Sequence, residues 1–391
     1  MERQPVRYGV ISAGRMAGFT MLKLMRGHPA ARAEAWYELD PARPDTAERI
    51  DRLAGSGIAR CDSFAALLGR DDVDVILNVT PHFAHAGLSI AALDAGRPVV
   101  CEKPPAVARR DARDMLAAAE RTDLPLLIHF QHLLRPAARW LNRQLVAGAV
   151  GRIRRVSCLS QWFRQADYYR RTDWAGRRRW RGRLVRDGAL NNQTVHYLNQ
   201  MLAFAAPTGE AHVARPASMR AALYRFHQPD VLEMEDTAVV AGTLAGAAGT
   251  KFLFAGTTVA AGRQGPTRAA EYAGLDAAHR IVIEGDRGTA TWSGEAEIRL
   301  RDGRVLRRED SREAPWPFYD HIRNVLDGAE QPVTPIAESA KVVDFICDAY
   351  DTAGDIRQRS WDDVAEVAPV LRRCAEEFAL PEDLSDPPDW A

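Results

Sequence analysis

The sequence predicts an α/β protein in two parts: a doubly wound parallel-sheet domain over residues 1–128, then an α+β domain over residues 129–391 built on a mainly antiparallel sheet. Three observations predict it. Up to about residue 130, short apolar runs alternate with amphipathic, Ala-rich stretches, the pattern of strands covered by helices. Beyond Pro136, strand candidates follow one another without intervening helices, which suits antiparallel pairing. A glycine-containing turn also directly follows the first strand and opens a helix.

Composition bounds the classes. At roughly 150 residues per domain, 391 residues allow two or three domains with a sizeable core. With 46% hydrophobic and 27% charged residues, and 52 basic against 52 acidic side chains, the chain argues against disorder and against a general nucleic-acid binder. The start Met1-Glu2-Arg3-Gln4-Pro5 runs into a strand-like segment with no basic-then-apolar leader, so no signal peptide is expected. The stretch around 238–248 is broken by Gly and Thr and too short to cross a bilayer. Five scattered cysteines (Cys61, Cys101, Cys158, Cys347, Cys374) without a CxxC pair read as reduced thiols. The expectation is a soluble cytoplasmic chain with no metal site and no membrane partner.

Element by element, strands are expected at 7–12, 32–37, 73–79, 98–101 and 125–130. Helices between them, at 15–26, 44–54, 84–95 and 108–121, carry apolar residues at three- and four-residue spacing. A helix running to Ala147, a strand at 152–163, an Arg-rich segment and a helix at 189–205 follow. Further strands are expected at 213–225, 236–246, 249–258, 279–284 and 296–302, with two or three helices after Pro317 and a Pro-rich last ten residues that frays.

The chemistry-bearing residues begin at the first turn. Ser12-Ala13-Gly14-Arg15-Met16 occupies the place where a GxGxxG turn offers backbone N–H groups to a pyrophosphate, with Ser12 in place of the first glycine. Its other reading is a plain strand-to-helix turn. Glu38, with Asp40 close behind, ends the second strand where a carboxylate accepts ribose hydroxyls; its other reading is a solvated loop carboxylate. Then Asp74 to His85, containing Thr80-Pro81-His82, leads through a helix ending at Ala95-Gly96 into Val99-Val100-Cys101-Glu102-Lys103-Pro104.

These segments, a TPxxxH turn, an "AL.AG..V" helix and strand, and EKP, occur in order and at the spacing of one family. The chain here resembles the glucose-fructose oxidoreductase, inositol dehydrogenase and rhizopine catabolism (Gfo/Idh/MocA) family over most of its length. The resemblance implies a Rossmann domain holding NAD, with NADP as the alternative. It implies that Thr80, Pro81, His82, His85 and Glu102 line the cofactor, that Lys103 stands beside nicotinamide and substrate, and that the C-terminal open sheet mediates homodimers or homotetramers. The residue-level reading agrees, since a lysine at the C-terminal end of a parallel strand points into the ligand crevice.

In the second domain, His132 within Gln131-His132-Leu133-Leu134-Arg135-Pro136 takes the place of the family's domain-crossing segment, with Leu133 where arginine is frequent. Asn191-Asn192-Gln193-Thr194-Val195-His196 matches the family's DxxxH site with Asn192 in place of the aspartate; four-residue spacing places Asn192 and His196 on one helix face. By the resemblance His196 donates or accepts the proton of the reacting hydroxyl, which it handles together with Lys103. Only one glycine, Gly188, survives of the family's preceding triplet.

Nine arginines lie between Arg164 and Arg186, interleaved with aromatic residues. Three readings stand: a solvated insertion, a nucleic-acid surface, or a substrate-facing loop resembling a "YYxRxxW" stretch of some family branches, in which Tyr168, Arg170, Arg171 and Trp174 meet a substrate that carries a carboxylate or phosphate. The expected activity is hydride transfer between the nicotinamide and a carbinol or ketone carbon of a sugar, cyclitol or related polyhydroxy compound. The alternatives are redox-neutral sugar chemistry with tightly held NAD, as in the family's NAD-dependent α-N-acetylgalactosaminidases, or a non-catalytic cofactor-binding regulator.

Overall fold

The computed structural model describes residues 4–12, 14, 25, 27–40, 57–207, 212–246, 249–259, 279–310 and 317–359. Contacts divide the chain into two units, the first taking residues up to Leu134 together with Ser311–Val343, the second the rest.

The first unit is built on six strands: β1 (Val6–Ile11), β2 (Ala31–Tyr37), β3 (Ala59–Arg60), β4 (Val75–Asn78), β5 (Val99–Cys101) and β6 (Leu126–Ile128). All pairings are parallel, in the order β3-β2-β1-β4-β5-β6. That order reverses at β1 and β4, the switch point beside which open sheets bind dinucleotides. β4 and β5 are buried at every residue, as expected of strands covered on both faces. The described helices are α1 (Phe64–Leu68), capped by the Ser63 hydroxyl accepting from Ala66 N–H at 3.0 Å, α2 (His85–Asp94) and α3 (Arg109–Thr122). Gly9 lets the covering layer approach β1, because a Cβ there would meet Val73, Leu67 and Ile76 at 3.0 to 3.2 Å.

The second unit carries α4 (Pro136–Val146), with Pro136 at its first turn, then β7 (Ile153–Gln161), α5 (Ala166–Tyr169), the short hairpin β8 (Arg179–Trp180) and β9 (Arg183–Leu184), and α6 (Val195–Ala205). The strands β10 (Pro216–Arg225), β11 (Thr237–Leu244), β12 (Lys251–Thr257), β13 (His279–Gly285), β14 (Gly288–Trp292), β15 (Ala296–Leu300), β16 (Val305–Arg308) and β17 (Ile356–Gln358) join β7 in a nine-stranded sheet. Its order is β16-β15-β14-β13-β7-β12-β11-β10-β17, and it is mixed: β7–β12 and β10–β17 are parallel, the other pairs antiparallel.

Two helices, α7 (Pro317–Leu326) and α8 (Ile336–Ala353), precede β17 at the end of the described chain. α7 belongs to the first unit, where Phe318, Tyr319 and Ile322 share one buried cluster with Tyr8, Val10, Trp36 and Leu77. Leu127 of β6 also bridges to Pro335. The sequence places the division after residue 128 and assigns everything beyond to one domain. Contacts instead put it after Leu134 and return 311–343 to the first unit, because the apolar face of α7 finds its partners on the parallel sheet. β3, β8, β9, β14, β16 and β17 are strands beyond those expected. The expected helix at 44–54, most of that at 15–26 and the last ten residues lie outside the described residues.

Candidate active site

The residues expected at a nucleotide gather at the C-terminal edge of the parallel sheet. Ser12, the first residue after β1, has φ 84°, the left-handed region in which the motif's glycine is at home. Its hydroxyl accepts from Gly14 N–H at 3.1 Å and donates to Glu38 Oε2 at 3.3 Å. Glu38 is buried, so the turn after β1 and the carboxylate after β2 form one piece. Arg15 and Met16 lie outside the described residues.

After β4, Asn78 is fully buried. Its Nδ2 donates to the His85 carbonyl (3.1 Å) and Ser89 Oγ (3.0 Å), and its Oδ1 accepts from the Thr80 hydroxyl at 2.7 Å. His85 sits with Nδ1 2.7 Å from the Pro104 carbonyl and Nε2 2.8 Å from the Thr80 carbonyl. Burial, then His82, pushes its pKa down to about 4, so at neutral pH one ring nitrogen carries the proton. His85 thereby ties the Thr80-Pro81 turn to the Lys103-Pro104 turn. His82 is buried beside it, ring centroids 6.3 Å apart.

Lys103 follows β5, and its backbone N–H donates to Glu102 Oε2 at 3.1 Å. Glu102 is buried, and its Oε1 lies 2.6 Å from His129 Nδ1. Burial raises this carboxyl, but His129 and Lys103 outweigh burial and hold it below the usual carboxylate range. An ionised carboxylate only accepts, so His129 Nδ1 is the donor. Neither Asn78 nor His129 is visible as a site residue in the sequence. Each is a polar side chain at the end of an otherwise apolar strand, and that is the signal for it.

In the second unit the candidate residues stand on a turn. Asn192 and His196 were expected on one α-helix, but Ala189–Gln193 is a π-turn and α6 begins only at Val195. Single π-turns recur at functional sites because they re-aim side chains. Asp187, absent from the sequence-level site, is fully buried; Oδ1 accepts from Asn192 Nδ2 at 2.6 Å, Oδ2 accepts from Gly176 N–H at 2.8 Å, and Arg171 stands 3.8 Å away. The carboxylate missing at position 192 is thus supplied five residues upstream. Asn191 is buried with Nδ2 on the Arg186 carbonyl at 3.0 Å, a contact that holds the turn. His196 is buried at the start of α6.

Glu235 explains why Gly188 survives. It is fully buried, accepts from Leu190 N–H at 2.9 Å, and both its oxygens accept from Tyr350 Oη at 3.0 Å. Any Cβ on residue 188 would overlap this carboxylate. Burial pushes the Glu235 pKa up to about 7.

The Arg-rich segment is a packed structure. Tyr169 is buried with its hydroxyl 2.8 Å from Thr258 Oγ1, and Trp174 is buried. Arg171 stacks 3.8 Å from the Tyr168 ring centroid, while the side chain of Arg170 is exposed and 4.0 Å from Asp167. Of the adjacent pair, Arg171 rather than Arg170 reaches the Asp187–Asn192 cluster. Tyr168 Oη accepts from Gln193 Nε2 at 3.2 Å, joining the loop to the π-turn. His132 lies half-buried on a short 3-10 turn, Gln131–Leu134, in the first unit. Among the described residues no three His, Cys, Asp or Glu side chains are placed to hold a metal, and no helix is long and apolar enough to cross a membrane.

Two family models match the chain: the oxidoreductase family with an NAD-binding Rossmann fold over residues 6–130, and the GFO/IDH/MocA C-terminal domain over residues 139–291. The chain belongs to the Gfo/Idh/MocA family. Among curated members it is similar to dTDP-3,4-didehydro-2,6-dideoxy-alpha-D-glucose 3-reductase of Actinomadura kijaniata, 32% identical over 151 residues, covering 38% of this chain and 44% of that one. It is also similar to the rhizopine catabolism protein MocA of Rhizobium meliloti, 32% identical over 158 residues, covering 40% and 47%. The match spans less than half the length of these relatives. Among solved members, WlbA dehydrogenase of Bordetella pertussis, in complex with NADH and UDP-GlcNAcA, superposes with a TM-score of 0.68 over 90% of this chain and 97% of that one, at 23% identity. That likeness is one of fold.

The residues present fit the family's nucleotide. Glu38 offers a buried acceptor where ribose hydroxyls need one, and the left-handed Ser12 keeps the first turn in glycine geometry.

Proposed function

We propose that this protein is an NAD-dependent dehydrogenase or reductase acting on a carbinol or ketone carbon of a sugar, cyclitol or related polyhydroxy compound. The observation that supports it most is Lys103 at the C-terminal end of β5, its backbone anchored to the buried Glu102–His129 pair in the family's NAD-binding unit. NAD, when bound, takes up or supplies the hydride. Lys103 and His196 hold or move the hydroxyl proton. Asn192 orients the hydroxyl, since an amide can direct a proton but cannot take one. NAD is preferred to NADP because the Glu38 carboxylate repels a 2′-phosphate. The relatives' printed activities on sugars and inositol support the substrate class.

The working form we propose is a cytoplasmic homodimer or homotetramer. The buried cysteines Cys61, Cys101, Cys158 and Cys347 suit a reducing compartment, and the nine-stranded sheet supplies the assembly surface.

A panel of polyols, sugars and their keto forms, assayed with both cofactors by absorbance of the reduced nicotinamide, tests the reading. Turnover with NAD is expected, and Lys103→Met is expected to abolish it while still binding NAD. His196→Ala should lower kcat by roughly two to four decades. Full activity in Lys103→Met would remove that residue from the chemistry. Product formation without any reduced cofactor would replace hydride transfer by redox-neutral sugar chemistry.

A further inference from the structure

The arginines of the 164–186 segment differ in what compensates them. Arg177 faces Glu233 at 3.0 Å, and Arg171 faces Asp187 at 3.8 Å. Arg164 has no carboxylate within ion-pair distance among the described residues. Its Nη1 donates to the Phe163 carbonyl at 3.0 Å, and its guanidinium lies between two rings, 4.9 Å from that of Trp162 and 4.8 Å from that of Tyr168. Its Nε is buried and makes no hydrogen bond, and neither does Trp162 Nε1. The residue as a whole is only part-buried.

A guanidinium cannot shed its charge, and removing it from water without a counter-ion is costly. The aromatic faces compensate it only in part. Its field reaches its neighbours: burial and then Arg164 push His279 down to about 3. Burial raises the Tyr168 phenol, but Arg171 and Arg164 outweigh burial and leave it lowered. Tyr168 in turn bonds Gln193, the residue after Asn192, so Arg164 stands one side chain from the π-turn. With Nη1 occupied and Nε buried, Nη2 remains to donate to an oxygen of an anion in a charge-assisted hydrogen bond.

We propose that Arg164, held between Trp162 and Tyr168, seats an anionic oxygen group of the substrate, a carboxylate or a phosphate. The sugar-like remainder of that ligand rests on the function proposed above. Calorimetric titration of the NAD-loaded protein with D-glucuronate, D-glucose 6-phosphate and D-glucose tests the site without turnover. At least one acidic sugar is expected to bind about tenfold tighter than glucose; the arm that gains distinguishes carboxylate from phosphate. The advantage should vanish in Arg164→Gln, shrink in Arg164→Lys, which keeps the charge and loses the planar group held between the rings, and persist in Arg183→Gln on the exposed hairpin. Equal affinities for all three sugars in the wild type overturn the proposal. So does an undiminished acidic preference in Arg164→Lys or Arg164→Gln. Acidic selectivity without any hydride transfer would retain this site and reject the dehydrogenase reading instead.

Discussion

A buried carboxylate persists only where its lone pairs are spoken for, and Asp187 meets that condition by holding Asn192 Nδ2 and Gly176 N–H at once. Because the amide nitrogen of Asn192 faces Asp187, its oxygen is turned the other way, as an acceptor. Asp187 is therefore a positioning residue. Asp187→Asn keeps one acceptor oxygen, enough for the Gly176 N–H or for Asn192 Nδ2 but not for both, so Asn192 loses its fixed orientation or the Gly176 N–H faces a donor. The expected outcome is a kcat reduced by roughly one to two decades, the scale of a misplacement near the reacting atoms, with NAD affinity unchanged because the cofactor residues lie in the other unit. Steady-state kinetics with parallel NAD titration check this. A wild-type kcat would show that Asn192 needs no such support.

At the scale of the element, the π-turn Ala189–Gln193 is held from outside by Glu235, whose carbonyl accepts from Ala189 N–H at 3.0 Å and whose carboxylate accepts from Leu190 N–H. With a folded pKa near 7 against an ordinary 4.5, this acid keeps its proton in the native state at pH values where the unfolded chain has lost it. The native state binds more protons in that window, so stability falls as pH rises from about 4.5 to about 7 and then levels off. The whole effect is on the order of 3 kcal/mol. Glu235→Gln should flatten that slope, as read from urea midpoints between pH 5 and pH 8. An unchanged slope would mean that other groups carry it. Gly188→Ala should be strongly destabilising on its own and largely rescued by Glu235→Ala, since the collision is with that one carboxylate.

For the whole molecule, the instructive fact is that α7 completes the core of a sheet whose last strand ends about 190 residues earlier. Tyr8 and Tyr319 meet edge-on with centroids 5.9 Å apart, and Phe318 packs 4.2 Å from the His129 ring. Phe318, Tyr319 and Ile322 are each worth about 1.5–3 kcal/mol of burial, a sum comparable to the net stability of a domain. Ending the chain after Asp310 should therefore leave the Rossmann unit unable to hold its fold or bind NAD. Circular dichroism melts and NAD titration check this. A cooperative, NAD-binding product would show the first unit to be self-sufficient.

The alternation of apolar runs with amphipathic stretches, the strand-end motifs and the succession of later strands determined the architecture by themselves, because they depend on local period and on residues close in sequence. That Ser12, Glu38, Thr80 and Lys103 stand just beyond a strand, and His85 at the start of the helix that follows one, was legible for the same reason. Tertiary structure alone decided that α7 joins the parallel sheet, that a π-turn interrupts the helix between Asn192 and His196, and that Arg171 rather than Arg170 turns inward. It also decided the buried carboxylates. Asp187 and Glu235 look like ordinary acids in the sequence, and only packing removes their water and leaves each with the backbone amides and side-chain donors that justify its burial.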